Sequence, residues 1–351
     1  GHSSRSAEPY LLLVRQQVLK RVVLPRRMRA RVSLIAALFV VSGAAGLVDQ
    51  VCFSKYLSYV VGSTAHAVSA VLAAFMAGMA IGARIGGRYA HRIERPLFAY
   101  GVLELVVGAT VAATPFAFSL LPDMYLWLVQ RAPGSPLVIA LVRWLLAVLF
   151  VIVPTTAMGA TLPLLSRLTE WESDASLRER ALGVLYASNT LGGAVGSLAS
   201  VYLLLPALGL RGTTLGAAGA SIVVGVVAMS IGGAPTTAVG RPVVDRTAEP
   251  LSPPAEQALT QTPFALALVA FMSGALVFAS EVVFVHLLVL LVGTSAYAFG
   301  VILSIFLSCL FLGAALAPRV YRRYRAVALP AGLLLAAIAL GLTLPVWPRI
   351  P

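Results

Sequence analysis

Asp49, Gln50 and Lys55 lie in one otherwise apolar run of this chain, and Glu281 and His286 in another. Ionisable groups at membrane depth are expensive and mark binding sites or proton relays by default. Their chemistry suits a central polar site that binds a charged solute or passes a proton. A structural role is the alternative, with Asp49 paired to Lys55, and Glu281 to a hydroxyl or to His286, locking helices together. Six residues separate Asp49 from Lys55, about 240° around an ideal helix. An intrahelical pair is therefore poor geometry, and each is expected to find its partner on another helix. Lys55 and Tyr59 reach the outer interface, where a lysine can snorkel, which weakens Lys55 as a ligand.

Asn189 is the only asparagine and, beside Thr190, reads as interhelical glue. Glu104 and Arg143 fall near the ends of apolar runs and read as interface anchors, with Glu104 in reach of Arg84 or Arg88. No catalytic constellation accompanies these residues. G-x-S-x-G, G-x-G-x-x-G and a phosphate loop are absent, as is H-E-x-x-H. Cys52 and Cys309 fit neither a disulfide framework nor a metal spacing. No catalytic residue, metal or cofactor is expected, and the spacing gives no reason for Asp49, Glu104 and Glu281 to converge.

The elements that must position these residues follow from composition. Of 351 residues 59% are hydrophobic and only 11% charged, against about 25% charged in a soluble domain. A soluble enzyme is excluded. The net charge of +13 suggests nucleic acid, but the arginines sit between apolar runs, so no nucleic-acid partner is expected. The expected fold is an all-α polytopic membrane protein with the lipid bilayer as its first partner. Its nine spans are approximately 33–61, 66–88, 97–121, 137–160, 183–205, 209–231, 263–292, 296–317 and 326–346. With these spans, 21 Lys and Arg residues fall on one side of the membrane, and only Arg131, Arg211 and Arg349 on the other. The N-terminus is therefore expected to be cytoplasmic. Residues 1–32 form a basic segment, read either as a helix on the inner leaflet or as a tail. Residues 232–262, rich in Pro, Gly and Thr, form a linker.

Self-similarity divides the chain further. Shifted by 231 positions, Ser42–Arg92 lies over Ser273–Arg323 without a gap, and 16 of 51 residues are identical. Gly62 matches Gly293, Phe75 matches Phe306, Gly82-Ala83 matches Gly313-Ala314, and Arg88 and Arg92 match Arg319 and Arg323. Gln50 falls over Glu281 and Lys55 over His286. Six helices separate the copies, so both enter the membrane in the same direction. Residues 33–231 are expected to form a first six-helix repeat and 263–351 three helices of a second, a major-facilitator arrangement. Gly78, Gly82 and Gly86, like Gly192 and Gly196, are spaced for close helix packing. The run Gly82–Arg88, with Arg92, is read as a Gly- and Arg-rich gating loop after the second span, lacking the usual acidic residue.

Several longer motifs carry a family resemblance. They are Val60-Val61-Gly62-Ser63, Leu103-Glu104-Leu105, Pro154–Pro163, Leu185–Gly192, Leu204–Leu210 and Gly293–Phe299. With them the chain resembles the membrane portion of the bacterial fused major-facilitator-type/spermidine synthase-like proteins. The resemblance implies a multi-pass protein of the bacterial inner membrane that handles a polyamine or other cationic solute. Glu281, Asp49, Gln50, His286, Lys55, Asn189 and Tyr297 are the candidate binding residues. Gly82, Gly86, Arg88, Arg92 and Glu104 are the structural or gating ones. The family has a glutamate where this chain has Gln50, and its members end in an aminopropyltransferase-like domain that these residues do not contain. Two alternatives stand beside transport: an integral scaffold or accessory subunit, in a larger complex or a homo-oligomer, and the anchor of a catalytic domain outside this chain.

Overall fold

The computed structural model describes residues 26–61, 64–131, 136–169, 175–232, 263–292, 296–324 and 327–343. The basic segment before Arg26 and the linker 233–262 lie outside them. All described regular structure is helical: α1 Arg26–Val61, α2 Thr64–Tyr89, α3 Pro96–Arg131, α4 Pro136–Ser166, α5 Ala175–Ala199, α6 Leu205–Gly232, α7 Pro263–Val292, α8 Ala296–Tyr324 and α9 Ala328–Thr343. A bilayer offers the backbone no partners, so each span must close its own hydrogen bonds. Embedded hydroxyls follow the same rule. Thr155 Oγ1 donates to the Val151 carbonyl at 2.8 Å and Thr190 Oγ1 to that of Tyr186 at 2.9 Å.

Each of the nine expected spans overlaps one described helix, but seven helical runs among the described residues are long and apolar enough to cross a membrane, α5 and α6 forming one run and α9 falling short. α1 starts at Arg26, seven residues before the expected start of the span at Ser33, because a helix once propagating continues through its flanking arginines. Between α5 and α6 the helical run Arg180–Gly232 is 53 residues long, about 80 Å at the α-helical rise and enough for two crossings. It is broken by a π turn at Ser200–Leu204 and by Gly209 (φ 66°, ψ 178°), so the chain reverses at Gly209. The described part of α9, 16 residues, spans about 24 Å.

Glycines set the packing of the first six helices into three pairs. In α2 against α4, Gly78 meets Thr155, Gly82 meets the Thr156 carbonyl and Gly86 meets Ala160, while Gly159 lies on Met79. In α1 against α5, Gly43, Gly192 and Gly196 face the carbonyls of Asn189, Val40 and Ala44. In α3 against α6, Gly101 faces Gly225, and Gly108 faces Ala218 and Ile222. A methyl at any of these contacts would occupy space held by the partner helix. Small residues thus replace the hydrophobic effect, which has no purchase between lipid-immersed helices.

Gly82 and Gly86 therefore do not belong to a loop. They lie within α2, buried against α4, and only the short 3-10 turn Ala90–Arg92 leads out of that helix. Arg88 and Arg92 are exposed, with the Arg92 guanidinium 5.5 Å from the Tyr89 ring centroid. The core between the pairs holds Phe53, Leu57, Val107, Val111 and Val151, all at or below 1% exposure. Outward positions are apolar as well, among them Leu149, Val223, Val226 and Phe271, as a lipid-facing surface requires.

α8 joins the second group to the first. Gly300 sits against Val201 and the Ser197 carbonyl of α5, and Ser304 Oγ donates to the Ala194 carbonyl at 3.0 Å. α7 packs on α8 through Phe284 and Phe306, their ring centroids 6.1 Å apart.

Candidate functional site

α1 divides the polar residues between two surroundings. Phe39, Ser42, Asp49, Cys52 and Tyr56 share one stripe, since offsets of 3, 7 and 14 residues return close to the same helical face. That stripe turns toward α3 and α6. The Phe39 and Tyr100 rings meet edge-to-face at 6.0 Å, and the Tyr56 and Phe118 rings lie 5.0 Å apart. Between these aromatic contacts Ser42 Oγ donates to Glu104 Oε1 at 2.5 Å. The hydroxyls of Tyr100 and of Ser221, on α6, also approach the Glu104 carboxyl. Asp49 lies two turns beyond Ser42, within electrostatic reach of Glu104. It is fully buried, and neither of its carboxyl oxygens has a hydrogen-bond partner.

This arrangement corrects two expectations. Glu104 is no interface anchor. It is 2% exposed and sits eight residues into α3, about 12 Å along its axis. Arg84 and Arg88 are exposed on α2, so neither shares its environment. Among the described residues Asp49 has no cationic partner on another helix; it turns away from α7 and joins Glu104 inside the first bundle. Sequence reasoning also missed Ser42, Tyr100 and Ser221. Their available signal was spacing: Ser42 and Asp49 lie seven apart, Tyr100 and Glu104 four apart.

The second surrounding lies between the first bundle and α7–α8. Gln50, one residue round from Asp49, is 1% exposed, and neither end of its amide is hydrogen-bonded. Its neighbour Val51 shares a buried cluster with Val201 of the π turn, Val285 of α7, and Phe299, Ile302 and Leu303 of α8. Glu281 lies one turn before Val285 on the same face of α7. It is 4% exposed, and its Oε1 has no partner. The acid therefore faces protein, not lipid.

The remaining candidates are more peripheral. His286 is exposed, and its Nδ1 lies 2.8 Å from the Val282 carbonyl of its own helix. Lys55 is half-buried on the far side of α1 from Asp49. Asn189 is half-buried, its backbone carbonyl and Oδ1 filling the space beside Gly43. Tyr297, half-exposed, holds its ring 5.4 Å from that of Tyr202 of the π turn, tilted by 52°. The Arg143 side chain lies outside the described residues. No group of three His, Cys, Asp or Glu side chains able to hold a metal ion occurs among the described residues.

No curated protein and no solved structure gives a significant match to this chain. The description of the Major Facilitator Superfamily matches residues 33–350, from the first apolar span through α9. With an all-helical membrane fold, glycine-paired spans and acidic groups kept off the lipid surface, the chain belongs to the Major Facilitator Superfamily.

Proposed function

We propose that this chain moves a small cationic solute across the membrane through a site between its first six helices and α7–α8. The observation that carries this reading is Glu281, a buried carboxyl with an unpartnered oxygen on the face of α7 whose Val285 joins the cluster shared by Val51 and α8. Gln50 supplies an unpartnered amide on the neighbouring side. A carboxyl and an amide together accept hydrogen bonds from an ammonium group, whereas an anion would meet repulsion from Glu281. The sequence repeat supports the pairing, since Gln50 and Glu281 occupy corresponding positions in the two copies. The family resemblance makes a polyamine the first solute to try. The arginine distribution supports a bacterial inner-membrane orientation with the N-terminus in the cytoplasm.

The test is uptake of radiolabelled spermidine into proteoliposomes. Wild type is expected to take up label above empty vesicles, and unlabelled putrescine to compete. Glu281→Gln should reduce uptake to background with folded protein retained. Uptake by wild type equal to that of empty vesicles overturns the proposal.

A further inference from the structure

We propose that two matching stripes, one on α2 and one on α8, each seat an anionic phospholipid, with a pair of arginines on the phosphate and a pair of aliphatic side chains under an acyl chain. On α2 the stripe is Ile81, Ile85, Arg88 and, in the 3-10 turn that follows, Arg92. On α8 it is Leu312, Leu316, Arg319 and Arg323. Offsets of 4, 7 and 11 residues keep each set on one helical face. All eight side chains are exposed. On α2 the glycines Gly78, Gly82 and Gly86 take the contact with α4, which leaves this stripe outward.

Each stripe is about 16 Å long, about half the thickness of a hydrocarbon core. It runs from aliphatic groups suited to acyl chains to cations at the end of the span, where headgroups begin. A guanidinium offers phosphate two parallel donors and is only weakly hydrated. Two contacts hold these charges at the helix surface. Arg319 Nη1 donates to the Ala315 carbonyl at 3.2 Å, and the Arg92 guanidinium lies 5.5 Å from the Tyr89 ring centroid.

The sequence repeat supplies an independent observation. The stripes match position for position at a shift of 231, aliphatic on aliphatic and arginine on arginine. Helix packing does not account for the shared pattern, because Gly82 is pressed on the α4 backbone while a Cβ at Gly313 meets nothing within 4 Å. What the two stripes share is exposure at the end of an apolar span. The copies differ in charge balance. Arg84 and Glu94 are exposed beside the first, whereas no acidic residue follows Glu281 in the chain, so the second has no acid near it in sequence. The α8 copy is therefore the tighter of the two. Neither stripe includes Glu281 or Gln50, and the proposal does not rest on the solute reading.

Native mass spectrometry of the full chain, released from detergent with added phosphatidylglycerol or with phosphatidylcholine of the same chains, tests it. Wild type should retain two phosphatidylglycerol molecules and lose phosphatidylcholine, whose headgroup brings its own cation. Arg88→Gln with Arg92→Gln should remove one bound lipid, and Arg319→Gln with Arg323→Gln the other, each weakening its site about 30-fold. Leu312→Ser with Leu316→Ser should also weaken the α8 site although the charge is unchanged. Arg180→Gln, at another exposed arginine, should cost less than Arg88→Gln alone. If one double variant fails to fold, the other reports on its own lipid. Equal retention of the two lipids, no retained lipid, or equal losses from Arg180→Gln and Arg88→Gln would overturn the proposal. So would full displacement of the lipid by inorganic phosphate, or indifference to the serine variants, because the occupant is then a free anion or a diffuse charge attraction.

Discussion

Ser42 on α1 and Glu104 on α3 are 62 positions apart in sequence and joined by one hydrogen bond at 2.5 Å. That bond ties together two helices which otherwise meet mainly through rings and aliphatic side chains. It also satisfies one oxygen of an acid that has left water entirely.

Ser42→Ala removes the donor and leaves Glu104 with less support. An interhelical hydrogen bond in a membrane contributes about 1 kcal/mol, so a small drop in thermal stability is expected in detergent. Glu104→Gln should cost less than Ser42→Ala, because the amide keeps the shape and can still accept from Ser42. Thermal unfolding of the two variants side by side checks the order.

Gly82 and Gly313 correspond in the sequence repeat but differ in surroundings. A Cβ at Gly82 runs into the Thr156 backbone, whereas one at Gly313 meets nothing within 4 Å. Gly82→Val should therefore lose most folded protein, since overpacking against backbone costs about 1–3 kcal/mol or more. Gly313→Val should express like wild type. Size-exclusion profiles of both variants decide the matter, and equal behaviour would contradict the packing described for α2 and α4.

The spans were legible because a bilayer demands long apolar helices, and composition alone reports them. The reversal at Gly209 was legible from Leu204-Leu205-Pro206-Ala207-Leu208-Gly209, where proline and glycine punctuate the run. The partnership of Asp49 with Glu104 was not. Which face of α1 meets α3 depends on how α5 claims the opposite face through Gly43, Gly192 and Gly196, and no residue near Asp49 encodes that choice. Glu104 misled for a related reason: distance from a helix end along the sequence says nothing about lateral burial.

The two groups of helices should stay associated when the connection between them is cut. Coexpressed fragments 1–245 and 250–351 are expected to copurify through α5 and α8, using the Ser304–Ala194 bond and the seat of Gly300 on Val201. Gly300→Leu in the second fragment should abolish copurification. Fragments that separate without that change would show the contact to be too weak to organise the protein.

Cys52 and Cys309 should label at different stages. Cys52 is buried and Cys309 exposed on α8. In detergent a small apolar maleimide should modify Cys309 in the native protein and Cys52 only as unfolding proceeds. Mass spectrometry of peptides along a temperature ramp separates the two. Early modification of Cys52 would mean that the buried stripe of α1 facing α3 and α6 opens before the rest.

α5 serves two neighbours in different ways. Toward α1 it presents bare backbone, with Gly192 and Gly196 pressed on the carbonyls of Val40 and Ala44. Toward α8 the contact runs mostly through side chains, with Val201 of the adjoining π turn against Gly300 and Leu307 of α8 beside Leu47 of α1 at Gly193. Backbone-on-backbone seams have no rotamers to exchange, whereas branched side chains can reseat. The compliance of the molecule is thus expected to be unequally distributed: α1 and α5 should behave as one stiff unit, with relative displacement of α7–α8 taken up along the α5–α8 seam. The π turn at Ser200–Leu204 lies on that seam, where a helix can yield by one residue without unwinding.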